Sequence, residues 1–284
     1  MTEMYEIKVG HVLSKIEEIP CSSVDCVVTS PPYYGLRDYG VMGQIGLEKT
    51  PLKYIENMVS VFREIRRVLK PEGTVWLNIG DSYAGSGKGR MGDGSCQAKG
   101  KQATNKGSTE GVVKRSVTTG FKPKDLLMIP HRLAIALQED GWWVRQDIVW
   151  SKLNPMPNPV KDRCVTSHEY IFLLSKSKKY YFDHEAIKED AVTDATKKRS
   201  KRSVWSASVS PYPEAHFAVY PPQLIEPCIL AGCPVGGTVL DPFAGSGTTG
   251  GVAERNGRDS ILIELNPTYA ELIPKRISQL TEAE

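Results

Sequence analysis

The sequence has few of the features that mark metal, redox or membrane proteins. Six of its 284 residues are cysteines, with no C-x-x-C pair among them, which argues against a zinc knuckle or a redox-active dithiol. The histidines at 131, 168, 184 and 216 lack metal-like partners three or four residues away. No apolar run approaches the length of a membrane span. We expect a cytoplasmic protein with free buried thiols, no bound metal and no membrane partner.

The net charge is also too small to identify a partner. It is +3 over the whole chain, so charge alone does not indicate nucleic acid. The 284 residues, 40% of them hydrophobic, are enough for one sizeable α/β core. No internal repeat or second domain is evident, and we expect residues 1–284 to form a single domain.

A proline pair after a short apolar run predicts a reactive turn. Residues 24–28 read Val-Asp-Cys-Val-Val, and Thr-Ser-Pro-Pro-Tyr follows them. Consecutive prolines interrupt the hydrogen bonds of a strand, so they fix an extended, exposed turn at its end. There the Ser30 hydroxyl and the Pro31 carbonyl can accept the protons of an amino group while Tyr33 stacks on a flat ring. The segment favours a nucleobase amine as ligand; a simple strand-ending turn is the alternative.

A glycine-rich turn near the end of the chain predicts a second ligand site. Residues 239–241 end an apolar strand, and Pro-Phe-Ala-Gly-Ser-Gly-Thr-Thr-Gly follows. Gly245 and Gly247 allow a ligand close to the backbone, and the next helix would present free amides to a carboxylate or phosphate. Asp241 could hold an amino group of that ligand, and Glu264 ends the next apolar run where a ribose-binding acid is expected. A tight turn without a ligand is the alternative.

The glycines leave two other functions open. With Gly250 as the third glycine they fit the dinucleotide fingerprint G-x-G-x-x-G, so a nicotinamide-dependent oxidoreductase is one alternative. Residues 251–284 are too few for the strands that complete such a domain. A catalytically silent DNA-binding protein is the other alternative, against which the intact Ser30–Tyr33 segment argues.

Together these segments resemble the amino-methyltransferases of DNA, which methylate the exocyclic nitrogen of cytosine or adenine from S-adenosylmethionine. The resemblance covers nearly the whole chain. Ser30-Pro31-Pro32-Tyr33 matches the catalytic tetrapeptide of that family, and residues 241–248 match its cofactor motif. Residues 216–221 resemble the segment over the methionine end of the cofactor. The resemblance implies S-adenosyl-L-methionine as cofactor, bound by Asp241, Phe243, Gly245, Gly247, Thr248, Glu264, His216, Phe217 and Ala218.

One position departs from the family pattern. The family often has Gly-Asp near residue 10, where the Asp reaches the adenine of the cofactor, and this chain has Gly10-His11. We therefore expect His11 to be the histidine to test as a cofactor contact, with a structural role as the alternative.

The order of the motifs implies the fold. A catalytic motif that precedes the cofactor motif is the order of the β group of these enzymes, whose α/β fold is a doubly wound, mainly parallel sheet. The strands that normally follow the cofactor motif must then come from the start of the chain. Apolar spacing predicts helices over about 55–69, 126–137 and 269–280. Strands are expected near 24–29, 74–79, 143–150, 169–174, 239–240 and 261–263.

The resemblance also implies the activity. It indicates a site-specific DNA methyltransferase that acts on the exocyclic amine of a base flipped out of double-stranded DNA. Serine in the first motif position, Ser30, resembles the cytosine-N4 enzymes, so N4 of cytosine is favoured and N6 of adenine is the alternative. An amine of RNA or protein is a more distant alternative. A homodimer and a cognate restriction endonuclease are partners that the resemblance leaves open.

Two basic segments are candidates for DNA contacts. Residues 84–122 are rich in Gly, Ser, Lys and Thr and contain eight Lys and Arg against two acids, which predicts a mobile basic loop at 85–120. A second cluster lies in 183–215, where β-group enzymes have their target-recognition segment. A solvated charged surface is the alternative for both. The candidate DNA-binding residues are Lys88, Arg90, Lys99, Lys101, Lys197, Lys198, Arg199, Lys201 and Arg202.

Overall fold

Strands and helices alternate along most of the chain. The computed structural model describes residues 4–85, 120–157, 160–191, 194–209 and 220–282. The strands in these ranges are β1 (Tyr5–Val9), β2 (Val24–Thr29), β3 (Leu69–Ile79), β4 (Trp143–Lys152), β5 (His168–Ser175), β6 (Glu189–Ala191), β7 (Asp194–Arg199), β8 (Val204–Ala207), β9 (Thr238–Asp241) and β10 (Asp259–Glu264). The helices there are α1 (Val12–Glu17), α2 (Pro51–Val68), α3 (Ile129–Glu139), α4 (Pro222–Gly232), α5 (Thr248–Arg255), α6 (Pro267–Ala270) and α7 (Ile273–Thr281).

One large sheet combines the two ends of the chain. Its order is β1-β10-β9-β2-β3-β5-β4-β8. Neighbours from β1 to β3 are parallel, β5 runs antiparallel between β3 and β4, and β8 is parallel to β4. The first strand of the chain pairs with β10, which follows the glycine-rich turn. The mainly parallel sheet and the predicted order, in which early strands complete the cofactor half, are therefore confirmed.

The side chains of β3 show why helices cover both faces of the sheet. Val75, Leu77 and Ile79 pack in one cluster with α1, α2 and α3, whereas Trp76 packs in a second cluster with α4. Successive side chains of a strand point to opposite faces, so a strand that is apolar at consecutive positions needs a layer on each side. The carboxyl ends of the central strands then form the edge at which ligand sites of such sheets lie.

The bounds of several elements differ from those predicted, including the start of α2 at Pro51 rather than near 55. β3 begins at Leu69 rather than at 74, because its backbone continues the pairing with β2 across a register shift between Val24 and Cys26. α3 begins only at Ile129, after Met128 in a left-handed conformation. The predicted final helix is two helices, α6 and α7, each with a proline in its first turn. A proline there lacks the amide hydrogen that would continue the preceding turn.

Some of the predicted residues lie outside the described ranges. Residues 86–119 include most of the predicted basic loop and with it Lys88, Arg90, Lys99 and Lys101. His216, Phe217 and Ala218 also lie outside the described residues. Within the described part of the chain, no helix is both long and apolar enough to cross a membrane.

Candidate active site

The predicted catalytic turn, Ser30–Tyr33, follows the carboxyl end of β2, in the centre of the sheet. We call it the catalytic turn. Pro31 is buried, and Ser30, Pro32 and Tyr33 are half-buried, so the turn is packed rather than exposed as predicted. The Pro32 carbonyl accepts a 3.0 Å hydrogen bond from the hydroxyl of Tyr54 in α2. The prolines and this bond together give the turn a fixed shape.

Polar side chains from three neighbouring strands hold the Tyr33 hydroxyl. It donates a 2.7 Å hydrogen bond to Oε2 of Glu169 in β5 and lies 3.2 Å from Oδ1 of Asn78 in β3. The Ser30 hydroxyl donates to Tyr33 Oη at 3.4 Å. Glu169 also forms an ion pair with Lys152, at the end of β4. Burial and the charge of Glu169 raise the pKa of Tyr33 well above its ordinary value, so Tyr33 stays a neutral donor.

Gly80 makes room for the Tyr33 ring. A Cβ atom at Gly80 would lie 2.6 Å from Cε2 of Tyr33, far inside the contact distance of two carbon atoms. Only glycine therefore lets the ring pack against this backbone. The ring of the predicted stacking residue is fixed at one side by Gly80 and at its hydroxyl by Glu169.

The glycine-rich turn lies beside the catalytic turn, because β9 pairs with β2. Gly245 and Gly247 have φ angles of +55° and +87°, in the region that favours glycine. A Cβ at Gly247 would meet Ile273 of α7 at 2.7 Å, whereas no described atom lies within 4 Å of that position at Gly245. Packing therefore requires Gly247, and Gly245 is the position with space for a ligand.

Glu264 ends β10 and faces this turn. Its Oε2 accepts from the Gly245 amide and its Oε1 from the Asn266 amide, both at 2.8 Å. Burial raises the pKa of Glu264 to about 7. A carboxylate has roughly four acceptor sites, so these two bonds leave capacity for the two hydroxyls of a ribose.

The structure corrects the prediction that Asp241 faces the ligand. Asp241 is fully buried at the end of β9. Its carboxylate accepts hydrogen bonds from Thr29 at 2.7 Å and Thr249 at 2.5 Å. Tyr220 donates to it at 2.8 Å and the Phe243 amide at 3.1 Å. Burial raises the pKa of Asp241, and these four donors counteract that effect. Asp241 therefore joins the end of β2 to the glycine-rich turn, and these four bonds occupy its carboxylate in this structure.

Two hydroxyl groups in the glycine-rich turn fit an anionic ligand group. Ser246 and Thr248 are each 3% exposed, and neither hydroxyl has a hydrogen-bond partner among the described residues. Buried hydroxyls without partners are uncommon and costly. Thr248 also begins α5, where the first amides of the helix lack partners within it. The turn thus offers hydroxyl and amide donors that suit the carboxylate of an amino-acid-like cofactor.

His11 has a structural contact at the same edge of the sheet. Its Nδ1 accepts a 3.3 Å hydrogen bond from the Leu13 amide and caps α1. The preceding amide, of Gly10, donates to the Glu264 carbonyl at 2.9 Å. The cap supports the structural alternative, and a contact between His11 and the cofactor stays a prediction.

Comparison with known proteins gives the family. Residues 24–275 match the DNA methylase family that acts on N6 or N4 amines. The chain belongs to this N6/N4 family of DNA methylases. The Type II methyltransferase M.SmaI of Serratia marcescens is 49% identical over 272 residues, which cover 96% of this chain and 90% of that protein. The Type II methyltransferase M.Cfr9I of Citrobacter freundii is 47% identical over 269 residues, covering 94% and 86%.

Solved structures share the fold. The cytosine-N4-specific PvuII DNA methyltransferase aligns with a TM-score of 0.68 at 20% identity, over 100% of this chain and 95% of that one. A DNA modification methylase of Thermus thermophilus, solved with S-adenosyl-L-methionine, aligns with a TM-score of 0.63 at 24% identity, over 98% and 96%. The cofactor that the sequence predicts, S-adenosyl-L-methionine, is the one bound in that Thermus structure.

The second basic cluster lies on the β6–β7 hairpin and in the turn before β8. Its cations form ion pairs with acids of the hairpin, namely Lys197 with Asp194, Lys198 with Asp190, and Arg199 and Lys201 with Glu189. Arg199, Lys201 and Arg202 also line an open groove of about 820 Å³. Arg202 precedes the amino end of β8. Ala207, at the other end of β8, pairs with Lys152, which forms the ion pair with Glu169. The basic cluster and Lys152 are therefore at opposite ends of β8.

Sequence reasoning missed the residues that hold the Tyr33 hydroxyl. Glu169, Lys152 and Asn78 lie on strands that were predicted, but nothing local marks them as partners of Tyr33. The signal in the sequence is a polar residue close to the end of a strand: Asn78 and Lys152 lie near the carboxyl ends of β3 and β4, and Glu169 lies near the amino end of β5. Asp241 has that signal as well, and there it marks a structural acid.

Proposed function

We propose that this DNA methylase methylates the exocyclic amine of a base flipped out of double-stranded DNA, at a specific sequence. The observation that carries the proposal is the adjacency of the two turns. They follow the neighbouring parallel strands β2 and β9, and a hydrogen bond joins Thr29 to Asp241 beneath them. A base at one turn and a cofactor at the other would meet at the same edge of the sheet. The relatives named Type II methyltransferases support sequence-specific action.

Ser30 is the residue that we assign to the target amine. The lone pair of a nucleobase amine is delocalised into the ring, so the nitrogen has to approach tetrahedral geometry before it can attack. Hydrogen bonds from the two amino protons to Ser30 Oγ and the Pro31 carbonyl favour this geometry, and they strengthen as the nitrogen becomes positive. When bound, S-adenosyl-L-methionine supplies a methyl group on a sulfonium centre. The protein contributes mainly by holding base and donor in line.

The cofactor roles follow from the second turn. We propose that Glu264 accepts the ribose hydroxyls, that the open side of Gly245 lies against the cofactor, and that Ser246 and Thr248 donate to its carboxylate. Phe243, His11 and the segment His216–Ala218 complete the proposed site. Asp241 contributes only by fixing the turn.

The base is proposed to be cytosine, methylated at N4. Many adenine-N6 DNA methyltransferases have Asp or Asn at the position of Ser30. The PvuII enzyme, which has the same fold, is cytosine-N4-specific. Adenine N6 is the alternative. Flipping either base costs a few kcal/mol, which contacts of the segments 85–120 and 183–215 with DNA phosphates would offset. A cognate restriction endonuclease is a proposed partner because the relatives are Type II methyltransferases.

Nucleoside mass spectrometry tests the proposal. Genomic DNA that contains many sequences is incubated with the protein and S-adenosyl-L-methionine carrying a deuterated methyl group, then digested to nucleosides. We expect labelled N4-methyldeoxycytidine with the wild-type protein and far less of it with Ser30→Ala over the same time. Labelled N6-methyldeoxyadenosine would move the assignment to adenine, and the absence of any labelled nucleoside would contradict the proposed function.

A further inference from the structure

The hydrogen bonds around Tyr33 have a fixed direction. The Glu169 carboxylate can only accept, and it accepts from Lys152 and from Tyr33 Oη. Asn78 Oδ1, 3.2 Å from the same hydroxyl, can also only accept. The orientation of this amide is fixed because its Nδ2 donates a 3.1 Å bond to the Tyr170 carbonyl. Both neighbours of the Tyr33 hydroxyl, on β3 and β5, can only accept a hydrogen bond. The single hydroxyl proton of Tyr33 is therefore directed at them.

The direction of the Tyr33 hydrogen bond also determines the direction of the hydrogen bond between Ser30 and Tyr33. Tyr33 Oη uses its proton on Glu169, so toward Ser30 Oγ, 3.4 Å away, it can only accept. The Ser30 hydroxyl also has one proton and two lone pairs. With its proton directed at Tyr33, Ser30 offers only lone pairs to a group on its other side.

We propose that Glu169, held by Lys152, is a positioning residue that keeps Ser30 a hydrogen-bond acceptor toward the target amine. The inference rests on the proposed function, because that function places the amine at Ser30. If Tyr33 donated to Ser30 instead, the Ser30 proton would point at the amine nitrogen. It would then occupy the lone pair that has to attack the methyl group, and the chemical step would slow.

The surroundings of the ion pair suit this role. The side chains of Lys152 and Glu169 are 21% and 14% exposed, so water has limited access to either partner. Lys152 Nζ lies 4.8 Å from the centre of the Trp150 ring, which further restricts it. The Asn78 amide also donates to Glu169 Oε2, at 3.4 Å. A half-buried carboxylate with three donors keeps a single arrangement, and that arrangement sets the direction of the hydrogen bonds from Ser30 to Glu169.

Glu169→Gln tests the direction because it keeps the size of the side chain and adds a donor. The glutamine amide can donate to Tyr33 and so reverse the chain. Single-turnover methyl transfer is measured at saturating DNA and cofactor, in the wild-type background and in Tyr33→Phe. We expect Glu169→Gln to lower the rate constant by about tenfold or more in the wild type. In Tyr33→Phe, which lacks the link, it should change the rate by less than about twofold.

Two controls separate this effect from loss of structure. Glu226→Gln is matched, because Glu226 on α4 is 33% exposed and forms a 2.7 Å ion pair with Arg255; it should keep the wild-type rate. If Glu169→Gln unfolds at a lower temperature than Glu226→Gln, the pair Glu169→Asp and Glu169→Asn replaces it, and Asp should be the faster. An equal loss in both Tyr33 backgrounds, no loss at all, or Asn as fast as Asp would overturn the inference. A wild-type protein without transfer would instead contradict the proposed function.

Discussion

Glu264 is the side chain of the cofactor site whose charge changes near neutral pH. Burial raises its pKa to about 7. The proposed ribose contact needs the carboxylate, because an ionised acid can accept both hydroxyl protons. Protonation of Glu264 competes with that contact at pH values below its pKa. Cofactor binding should therefore weaken as the pH falls through about 7 and strengthen as it rises.

We expect the affinity for S-adenosyl-L-methionine to rise by about fivefold from pH 6 to 7, by about tenfold from pH 6 to 8, and to level off above about pH 8. Glu264→Gln should bind more weakly and lose this rise, since its amide does not titrate. Isothermal titration calorimetry at several pH values measures both. A glutamine variant with the wild-type pH dependence would exclude Glu264 as the ribose acid.

The two acids of the cofactor motif show that the role of a residue cannot always be predicted from its position in the sequence. Asp241 and Glu264 both end an apolar strand, and the sequence favours a ligand contact for each. Glu264 has this geometry, whereas Asp241 is buried under Thr29 and Tyr220. Thr29 is 212 positions away in the sequence, so spacing around Asp241 could not reveal this partner. For the same reason the Glu169–Tyr33 bond, which joins residues 136 positions apart, was not predicted.

At the scale of elements, the β6–β7 hairpin is the candidate for DNA contacts within the part of the chain that the structure describes. Lys197 and Lys198 are 77% and 61% exposed and paired with acids on the same hairpin. Exposed ion pairs contribute little to stability, so phosphate groups could replace these acids. Lys197→Ala combined with Lys198→Ala should lower the slope of log affinity against log salt by about 0.9 for each lost phosphate contact.

Fluorescence anisotropy with a labelled duplex over a range of salt concentrations measures this slope. Lys53→Ala is the control, because Lys53 is 59% exposed on α2 and also pairs with an acid, Glu56. Its slope should equal that of the wild type. An unchanged slope in the hairpin double variant would show that the hairpin is only a solvated charged surface.

Elements with long apolar periodicity were the ones that the sequence predicted. The strands near 24–29 and 169–174 lie within two residues of β2 and β5, because buried strands read as continuous apolar runs. β4 also lies within two residues of its predicted range, although its first half is largely exposed. Short elements such as β1, α1 and β6 have too few residues for a period to be visible. The split between α6 and α7 depends on Pro274, whose effect in a helix start or interior is not fixed by its type alone.

At the scale of the whole molecule, the fold brings the first and last parts of the chain to one edge. The catalytic turn follows β2 and the cofactor turn follows β9, more than 200 residues later, yet these strands are direct neighbours. The order of the motifs predicted this adjacency, because a sheet of this type is complete only when the early strands join the cofactor half. In the proposed function, the target base therefore binds to residues from the first part of the chain, including Ser30. The cofactor binds mainly to residues from the last part.

The most direct test of the proposed mechanism is the single-turnover rate constant of methyl transfer by Ser30→Ala, measured together with the affinities of this variant for S-adenosyl-L-methionine and DNA. Ser30 is proposed to act on the amine as the nitrogen changes geometry, so its loss should appear in the chemical step and not in binding. We expect the rate constant to fall by about a hundredfold or more, with both affinities within about twofold of the wild type. A near-normal rate constant in Ser30→Ala would contradict the assignment of the catalytic turn.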